Sequence, residues 1–521
     1  MNHEPSHPPP HPPSHPPSHP SSHLAVAANS PADPDAIVEQ AYQAHVRGDW
    51  EEADRAYRTV LAIQPDIAPC WSNLGLVLRA RAKPDEAELA ARTALRLSPD
   101  FADAHNSLGM AQHDLNRLAE AENSFRGALR LRPDLAAAWI NLGLVRQKFG
   151  ALAEAEACYR TALRYGADFG QVGGNLGLVL LEQGRIVEAE AACRNALHQR
   201  PDNAEARVNL ATVLLLTSRF HEAWPAYEAR SAFTPDPIPD PSIARWTGQE
   251  DIAGRTILLR AEQGLGDTLQ FCRYALLLVD QGARVVLEVQ QPLVRLLSSL
   301  RGVAAVIGIG DTRPHVDLWC SIMSLPYLCG TTLDTIPCCI PYLSPAPSAR
   351  AAWADRLAGL TGLRVGLVWG GGTRPDQPHA MAIDRRRSMT LTDMAPLGDI
   401  QPCHFISLQI GDKASQASRP PDGLKLLDPT AMLGDFADTA ALVANLDLVI
   451  AVDTSVAHLA GAIGTPVWLL NRFDTCWRWL LDRDDSPWYP GLRQFRQDRP
   501  GDWAGVIGRV RQALEAVVAA R

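Results

Sequence analysis

The chain has 521 residues, and at about 150 residues per domain this length predicts three or four folding units. Acidic side chains exceed basic ones by nine (58 against 49), which argues against a protein whose main role is to coat nucleic acid or an anionic membrane. No apolar stretch reaches about 18 residues and the amino terminus lacks an apolar signal segment. We therefore expect neither a membrane span nor secretion, and predict a cytoplasmic location.

Proline is the over-represented residue, with 40 in the chain, and nine of them precede Leu24. The same segment places histidine at every fourth position, at 3, 7, 11, 15, 19 and 23. Such a composition cannot bury enough apolar surface to offset the entropy lost on ordering, so residues 1–32 are predicted to be a disordered tail. A metal-binding histidine tract and a low-complexity repeat without a selected role both fit this pattern, and we favour the second.

A constant spacing between recurring residue types organises the chain from position 33 to position 236. Alanine recurs at 53, 87, 121, 155, 189 and 223, which gives a 34-residue period. Proline recurs in the same frame at 65, 99, 133, 201 and 235, and a Leu-Gly pair begins at 74, 108, 142 and 176. This pattern over six units resembles the tetratricopeptide repeat family, which implies an α-solenoid of paired helices.

The recurring residue types suggest how such helices pack. Small Gly and Ala residues allow two helices to approach closely, aromatic residues such as Tyr57, Phe125, Tyr159 and Tyr227 fill the space between units, and proline ends the second helix of each pair. Because one helix pair cannot bury its own apolar face, stacked pairs form one continuous core and a concave surface. The array therefore indicates a binding surface without identifying what it binds.

Beyond a proline-rich linker at 233–241, short β-branched runs alternate with helical segments. We predict helices from Asp267 to about Val279, over 350–360 and from Trp503 onward. The predicted strands form two series, at 256–260, 283–289, 303–309 and 316–319, then at 364–369, 404–408, 446–452 and 465–470. The expected fold after the solenoid is a two-lobed α/β domain with two Rossmann-like lobes, residues 237–345 and 346–521.

Two glycine-containing loops are weak signals on their own. Gly264-x-Gly266 lacks the third glycine of a dinucleotide fingerprint, and the three glycines at 370–372 are not followed by the Lys-Ser/Thr of a P-loop. The sequence therefore supports neither NAD nor ATP chemistry, and we expect no cofactor.

The most specific motif follows the strand at 446–452. It runs DTSVAH at 453–458 into a helix of small residues, and a Gly-Thr-Pro turn follows at 464–466. Together with the Gly266-Asp267 pair after the first strand, this motif resembles glycosyltransferase family 9, which includes the lipopolysaccharide heptosyltransferases, over roughly residues 255–500. The resemblance implies a GT-B-like fold, a nucleotide-sugar donor and an inverting transfer without a metal. The layout with repeats is also similar to that of the O-linked N-acetylglucosamine transferases.

The resemblance assigns the donor contacts to the carboxyl-terminal lobe. Backbone N–H groups at a helix N-terminus can bind phosphate without a metal, and arginine side chains can clamp a diphosphate. No lysine stands beside the arginines at 385–387, although Lys413 can reach from the next loop. The predicted donor-binding residues are Asp453, Thr454, Ser455, Val456, His458, Arg385 and Arg387.

By resemblance, Asp267 is the base that deprotonates the acceptor hydroxyl. It fits a helix N-cap equally well, because Asp is favoured there. Ser455 departs from the family, which commonly has glycine after Asp-Thr. Four aromatic residues form either a sugar platform or, as we favour, internal packing. The loop residues expected near the site are Gln263, Gly264, Gly266 and Gly370, and the four aromatic residues are Trp477, Trp479, Trp488 and Tyr489.

Two functions follow from this sequence. The leading hypothesis is a glycosyltransferase that moves a sugar from a nucleotide-diphosphate donor to an acceptor hydroxyl, with the acceptor, a protein or a glycan, held partly by the concave face of the repeats. The alternative is a non-catalytic tetratricopeptide scaffold with a degenerate glycosyltransferase domain. Neither hypothesis involves nucleic acid as a partner.

Overall fold

The computed structural model describes residues 34–233, 242–372 and 378–521. The tail predicted at 1–32, most of the linker predicted at 233–241 and the proline at 235 lie outside the described residues. The chain divides into two compact units, one of Met1–Leu210 with Arg230–Thr234 and one of Ala211–Ala229 with Pro235–Arg521. The boundary between the units therefore falls near residue 210, well before the predicted linker.

Residues 34–227 form twelve α-helices in sequence, two for each predicted repeat. The helices are α1 (Pro34–Arg47), α2 (Trp50–Ile63), α3 (Ala68–Ala80), α4 (Pro84–Leu97), α5 (Ala102–Asp114), α6 (Leu118–Leu131), α7 (Ala136–Lys148), α8 (Leu152–Arg164), α9 (Phe169–Glu182), α10 (Ile186–Gln199), α11 (Ala204–Leu216) and α12 (Phe220–Tyr227). Helices α2, α4, α6 and α10 each end two positions before a proline of the repeat period, as predicted.

The small residues of the period allow close helix packing, as predicted, but the rings of Phe125 and Tyr159, which were predicted to fill the space between units, pack against a glycine of their own repeat. The recurring alanines of the second helices are almost fully buried. A Cβ atom added at Gly109 would lie 2.6 Å from Cε1 of Phe125, and one added at Gly143 would lie 2.7 Å from Cε1 of Tyr159. Any side chain at these two positions would collide with an aromatic ring of the same repeat. Each glycine therefore leaves the space that the ring occupies.

A ladder of ion pairs follows the same period. An acidic residue stands at 54, 88, 122, 156 and 190, and each forms an ion pair with the arginine four positions later, at distances of 2.6–2.9 Å. The first four of these carboxylates also pair with an arginine of the following repeat. In the sixth repeat the acid is replaced by Trp224 and the arginine by Glu228. The last repeat therefore departs from the ladder at both positions.

Trp224 belongs to a cluster of six aromatic residues in the second unit, which we call the final-repeat cluster. Its ring lies 5.6 Å from that of Trp477, and its Nε1–H donates to the carbonyl of Thr331 at 2.8 Å. Glu228 accepts a hydrogen bond from the hydroxyl of Ser324 at 2.9 Å. Helix α12 is thus part of the core of the α/β unit. The final-repeat cluster consists of Phe220, Trp224, Tyr227, Phe271, Trp477 and Trp488.

The second unit contains two sheets whose paired strands are all parallel. The first sheet has the order β1-β5-β2-β3-β4. Its strands are β1 (Ala244–Arg245), β2 (Thr256–Arg260), β3 (Arg284–Val289), β4 (Ala305–Gly308) and β5 (Leu318–Ser321). Helices α13 (Leu265–Phe271), α14 (Tyr274–Asp280), α15 (Val294–Leu297) and α16 (Leu325–Leu328) connect or follow them.

The second sheet has the order β11-β10-β9-β6-β7-β8. Its strands are β6 (Leu363–Val368), β7 (Cys403–Ser407), β8 (Leu426–Leu427), β9 (Leu448–Val452), β10 (Val467–Asn471) and β11 (Leu492–Arg496). The accompanying helices are α17 (Pro347–Leu357), α18 (Pro378–Arg387), α19 (Phe436–Val443), α20 (Ser455–Ile463) and α21 (Trp503–Ala519). Apolar residues of β6, β7, β9 and α21 form its core.

The prediction of two parallel α/β regions is confirmed, and three details differ. The helix predicted from Asp267 to about Val279 is two short helices, α13 and α14. Strands β1 and β8 were not predicted because each is only two positions long, and β11 was not predicted because only two of its five residues (LRQFR) are apolar. None of the helices in the described ranges is long and apolar enough to span a bilayer.

Candidate functional site

In each sheet the strand order reverses at one place, and the predicted motifs lie there. In the second sheet β6 leads to β7 and β8 on one side, whereas β9, β10 and β11 extend on the other, so the order reverses between β6 and β9. In open parallel sheets, ligands bind outside the carboxyl ends of the strands at such a reversal. Gly370 follows the end of β6, and Asp453 follows the end of β9.

A group of charged side chains surrounds the backbone at the end of β6. The buried carboxylate of Asp384 accepts hydrogen bonds from Nε of Arg387 at 3.2 Å and Nζ of Lys413 at 3.1 Å. A Cβ atom at Gly370 would lie 3.0 Å from Nζ of Lys413, and one at Gly371 would collide with Asp384 and Arg387. Two cations and one carboxylate therefore lie against two glycines, a combination that favours an anionic ligand.

Arg387 also connects this group to β9, because its Nη1–H donates to the carbonyl of Asp453 at 3.0 Å. The prediction placed Arg387 in the donor site, and the structure places it beside Asp453. Arg385 is solvent-exposed, and Arg386 forms an ion pair with Asp474 at 2.9 Å. The three arginine side chains thus lie in three different environments.

The N-terminus of α20 follows Asp453 directly. Thr454 is the N-cap, but its side chain makes no capping hydrogen bond, and its Oγ1 atom is buried without a hydrogen-bond partner. The N–H groups of Ser455 and Val456 belong to the first turn, where an α-helix leaves its donors unsatisfied. The hydroxyl and the two N–H groups supply neutral donors next to Arg387, where the positive end of the helix dipole favours an anion.

His458 lies one turn further along α20 and is 5% exposed. Its Nδ1 is 3.0 Å from the hydroxyl of Tyr489, its ring stacks on Trp479, and its Nε2 lies 3.9 Å from a carboxylate oxygen of Asp453. Burial lowers the pKa of His458 to about 4, although Asp453 acts in the opposite direction. His458 is therefore uncharged at neutral pH, and the predicted contact with the donor stays a prediction.

Asp267 lies at the third position of α13, beyond the end of β2. One carboxylate oxygen accepts the backbone N–H of Gly264 at 2.8 Å, and the other accepts a hydrogen bond from Arg478. Gly264 is the N-cap of α13, so Asp267 caps the helix from inside it and is not itself the N-cap residue. Its side chain is 19% exposed, and its predicted role as a base stays a prediction.

The loop before α13 also lies at a strand reversal, here between β2 and β5. The hydroxyl of Ser321, at the end of β5, donates to Glu262 across this reversal. Gln263 has a φ of 64° and approaches the hydroxyl of Tyr227 at 3.4 Å. Gln263, Gly264 and Gly266 therefore follow β2 at the carboxyl edge of the first sheet, and Gln263 contacts α12, whereas Gly370 lies in the second sheet after β6.

Gly266 brings the two motifs together. A Cβ atom at this position would lie 2.9 Å from Cδ2 of His458 and 3.4 Å from Cα of Ser455. Helices α13 and α20 are therefore in close contact, with Asp267 on one and the 453–458 motif at the start of the other. Glycine is required here because the two helix backbones approach too closely for a side chain.

The interpretation of four aromatic residues as a sugar platform is wrong. Trp477 is 5% exposed, and Trp479, Trp488 and Tyr489 are fully buried, so none of them offers a ring face to a ligand. Trp477 and Trp488 belong to the final-repeat cluster, and the other two pack on His458. Internal packing, the favoured alternative, is confirmed.

Sequence reasoning missed three charged residues of this region. Asp384 directly precedes the arginine triplet, and Arg478 lies between two tryptophans that suggested packing. Arg472 comes directly after β10, and a charged residue at the carboxyl end of a predicted strand was a signal for it. Within the described residues, no group of three or more His, Cys, Asp or Glu side chains has a metal-binding arrangement.

Comparison with known proteins supports the repeat assignment. Residues 18–234 match the family model of the cilia and flagella-associated protein 70 C-terminal domain, a tetratricopeptide model. Protein FlbA of Caulobacter vibrioides is 29% identical over 320 residues, covering 56% of this chain and 52% of its own length. The chain thus spans about half the length of this curated relative.

The solved structures that resemble part of the chain include the following two. The tetratricopeptide protein TTC0263 of Thermus thermophilus is 23% identical, with a TM-score of 0.33, and the match covers 35% of this chain and all of that protein. PilF of Pseudomonas aeruginosa is 21% identical, with a TM-score of 0.34, and the match covers 39% of this chain and 92% of that protein. The family match over residues 18–234 and the twelve paired helices of residues 34–227 together support a tetratricopeptide repeat array in this part of the chain.

Proposed function

We propose that this protein is a glycosyltransferase of GT-B-like fold that uses a nucleotide-diphosphate sugar. The observation that carries the proposal is the position of the two motifs. Asp267 and the 453–458 segment each follow a strand at the reversal of its own sheet, and Gly266 brings them into contact. Two ligand-binding edges that meet are what a donor and an acceptor require.

The donor side is the carboxyl edge of the second sheet. The leaving group carries negative charge on its phosphate oxygens, and this charge increases as the bond to the sugar breaks. Lys413 and Arg387, the hydroxyl of Thr454 and the N–H groups of Ser455 and Val456 supply donors there. Fixed donors that face a developing charge lower the barrier because they need no reorganisation. Asp453, which follows β9, would contact the sugar.

The acceptor side is the loop at 261–267. In an inverting transfer the acceptor oxygen bonds to the anomeric carbon, its proton passes to a carboxylate, and the bond from that carbon to the phosphate oxygen breaks, which releases the nucleoside diphosphate. Asp267 is the carboxylate we assign to this step. Each of its oxygens accepts one hydrogen bond and retains a second lone pair, so it can still accept a proton. The repeats would hold the acceptor through their concave face.

The first experiment tests donor binding with a matched pair of variants. Gly371→Ala would force a Cβ into Asp384 and Arg387, whereas a Cβ at the neighbouring Gly372 meets no atom of the described residues within 4 Å. A thermal-shift screen of common nucleotide sugars should find a donor for the wild type. We expect Gly371→Ala to weaken that donor at least about tenfold, which corresponds to about 1.4 kcal/mol, and Gly372→Ala to leave it unchanged. If no nucleotide sugar binds the wild type, the proposal is wrong.

The second experiment tests the base. Asp267→Asn should keep the hydrogen bond from Gly264 and the donor affinity, but lower turnover about 10²–10⁴-fold, because Asn cannot take a proton. A loss of donor affinity with unchanged turnover per bound donor would assign Asp267 to structure instead.

The scaffold without catalysis is the second candidate, and one observation favours it. Both oxygens of Asp267 already accept hydrogen bonds within the protein, as a purely structural carboxylate would. Under this hypothesis the wild type shows no turnover with any bound nucleotide sugar, and Asp267→Asn leaves partner binding by the repeats unchanged. Measured turnover that Asp267→Asn removes would exclude the scaffold.

A further inference from the structure

Arg472 is a buried cation with unused hydrogen-bond donors. It follows β10 directly and is only 8% exposed. Its Nε and Nη1 atoms are buried without a hydrogen-bond partner, and within the described residues its ion pair is with Asp474, at 3.6 Å. A buried charge without close partners is costly, by several kcal/mol in typical proteins. Such a residue therefore requires a reason beyond the stability of the fold.

Arg472 shares its carboxylate partner with a second arginine. Asp474 also pairs with Arg386, at the shorter distance of 2.9 Å, so two guanidinium groups share one carboxylate. The side chain of Asp474 is itself only 10% exposed, so solvent screens this group poorly. The unpartnered donors of Arg472 favour an oxyanion, because its planar guanidinium matches the geometry of phosphate and carboxylate.

Arg472 lies at the carboxyl edge of the second sheet, where the donor is proposed to bind. Strand β10 pairs with β9, with Leu470 opposite Val452, so the residues after both strands lie at the same edge of the sheet. The buried hydroxyl of Thr454, after β9, also lacks a partner. Adjacent strands are about 4.8 Å apart, which places the end of β10 roughly 10 Å from the end of β6, with β9 between them. A ligand that extends from Lys413 to Arg472 would cross the edge of three strands.

We propose that Arg472 forms a second anion subsite, which binds a phosphate or carboxylate group of the nucleotide sugar. This inference rests on the proposed function. Lys413 and Arg387 would hold one anionic group beside Gly370, and Arg472 would hold another beyond Asp453. The donor would thus carry two anionic groups in different places: either both phosphates of a diphosphate spread along the edge, or a phosphate and an acidic group on the sugar.

Isothermal titration calorimetry on the full chain tests the subsite. The probes are inorganic pyrophosphate, UDP-glucose and UDP-glucuronate, of which the last two differ only by one carboxylate on the sugar. We expect Arg472→Met to weaken pyrophosphate binding about tenfold or more, because two charge-assisted donors are lost. Arg472→Lys keeps the positive charge but lacks the paired N–H donors of the guanidinium group, so this variant should bind pyrophosphate with intermediate affinity. Arg499→Met, at an exposed position, is the matched control and should bind like the wild type.

The outcomes separate the two sources of the anion. Loss of pyrophosphate affinity in Arg472→Met assigns the subsite to phosphate. Unchanged pyrophosphate affinity, with loss of a preference for UDP-glucuronate over UDP-glucose, assigns it to a sugar carboxylate. If Arg472→Met changes neither, the subsite does not exist. If the wild type binds pyrophosphate through Arg472 but binds no nucleotide sugar, the subsite stands and the proposed glycosyltransferase function fails.

The melting temperature without ligand supplies an independent criterion. Arg472→Met removes an underpartnered buried charge, so its melting temperature should equal or exceed that of the wild type. A purely structural arginine predicts the opposite result, a melting temperature several degrees lower with an unchanged response to each anion. That combination would overturn the proposal.

Discussion

Close contacts at glycine occur in both units, but they connect residues at very different separations along the chain. In the repeats, Gly109 meets Phe125 and Gly143 meets Tyr159, so each contact lies within a single repeat. In the α/β unit, Gly266 meets His458, which lies on a helix that follows a strand of the other sheet. The repeats use glycine to fit apolar rings, whereas the α/β unit uses it to bring polar motifs together. The contacts within a repeat support stability, and the contact between distant segments supports the site.

The largest effect is expected from a substitution of Trp224, which tests where the repeats end and the α/β unit begins. By sequence this residue belongs to the sixth repeat, but its ring lies in the core of the α/β unit and is 3% exposed. Trp224→Ala should lower the free energy of unfolding of that unit by about 3–5 kcal/mol, because a large buried side chain leaves a cavity. Scanning calorimetry measures this loss.

The matched control is Glu190→Ala, at the same position of the fifth repeat. It removes a helix ion pair with Arg194 on a partly exposed surface, which contributes about 0.3–0.5 kcal/mol. If both substitutions have similarly small effects, Trp224 does not belong to the core of the α/β unit.

The next largest effect is a dependence of stability on pH, which is caused by one buried histidine in each unit. Burial lowers the pKa of His45 and of His458 to about 4, from 6.5 when unfolded. Between these values the unfolded state binds more protons, so stability is complete above pH 6.5 and falls as the pH drops toward 4. The maximum contribution of His458 is about 3 kcal/mol. His458→Gln should therefore flatten the dependence of unfolding free energy on pH in this range.

His45 provides the comparison, because both of its ring nitrogens are buried without a hydrogen-bond partner. His45→Gln should flatten the same range, and the double variant should flatten it further. The exposed His221 is the control, and His221→Gln should leave the profile unchanged. An unaltered pH profile in His458→Gln would show that this histidine is not buried in solution as it is here.

The smallest expected change in stability tests how closely a glycine packs against an aromatic ring in the repeats. Gly143→Ala places a Cβ 2.7 Å from the ring of Tyr159 and should destabilise the protein by about 1–3 kcal/mol through overpacking. Gly508→Ala in α21 meets no atom within 4 Å and should stabilise by about 0.5–1 kcal/mol, because alanine favours a helix. Denaturant titration of both variants checks the signs, and equal signs would contradict the close contact at Gly143.

The sequence was sufficient to predict the repeats because their contacts are local and recur. The alanines at the 34-residue period and the rings of Phe125 and Tyr159 are all buried as expected. The positions of most strands followed from their apolar runs, since buried parallel strands are nearly continuous in apolar residues. The order of the strands within each sheet did not follow, because pairing between strands distant in sequence leaves no periodic signal.

The candidate site was predictable in part for the same reason. Asp267 and Asp453 could be located because each follows a predicted strand, where ligands bind in such sheets. The hydrogen bond from Arg478 to Asp267 joins two segments that belong to different sheets, and no pattern in the sequence links them. The environment of His458 also required the structure, because its burial depends on Gly266 of another helix and on Tyr489.

The final-repeat cluster determines where the chain can be divided when repeats are exchanged between related proteins. A boundary chosen at the proline-rich linker would separate Trp224 from Trp477 and would expose the surface on which α12 lies. An exchange of repeats between related chains should therefore retain residues from Ala211 onward. The number of preceding repeats is then adjustable, while the last helix is inherited together with the candidate site, because Tyr227 contacts Gln263 in the loop beside Asp267.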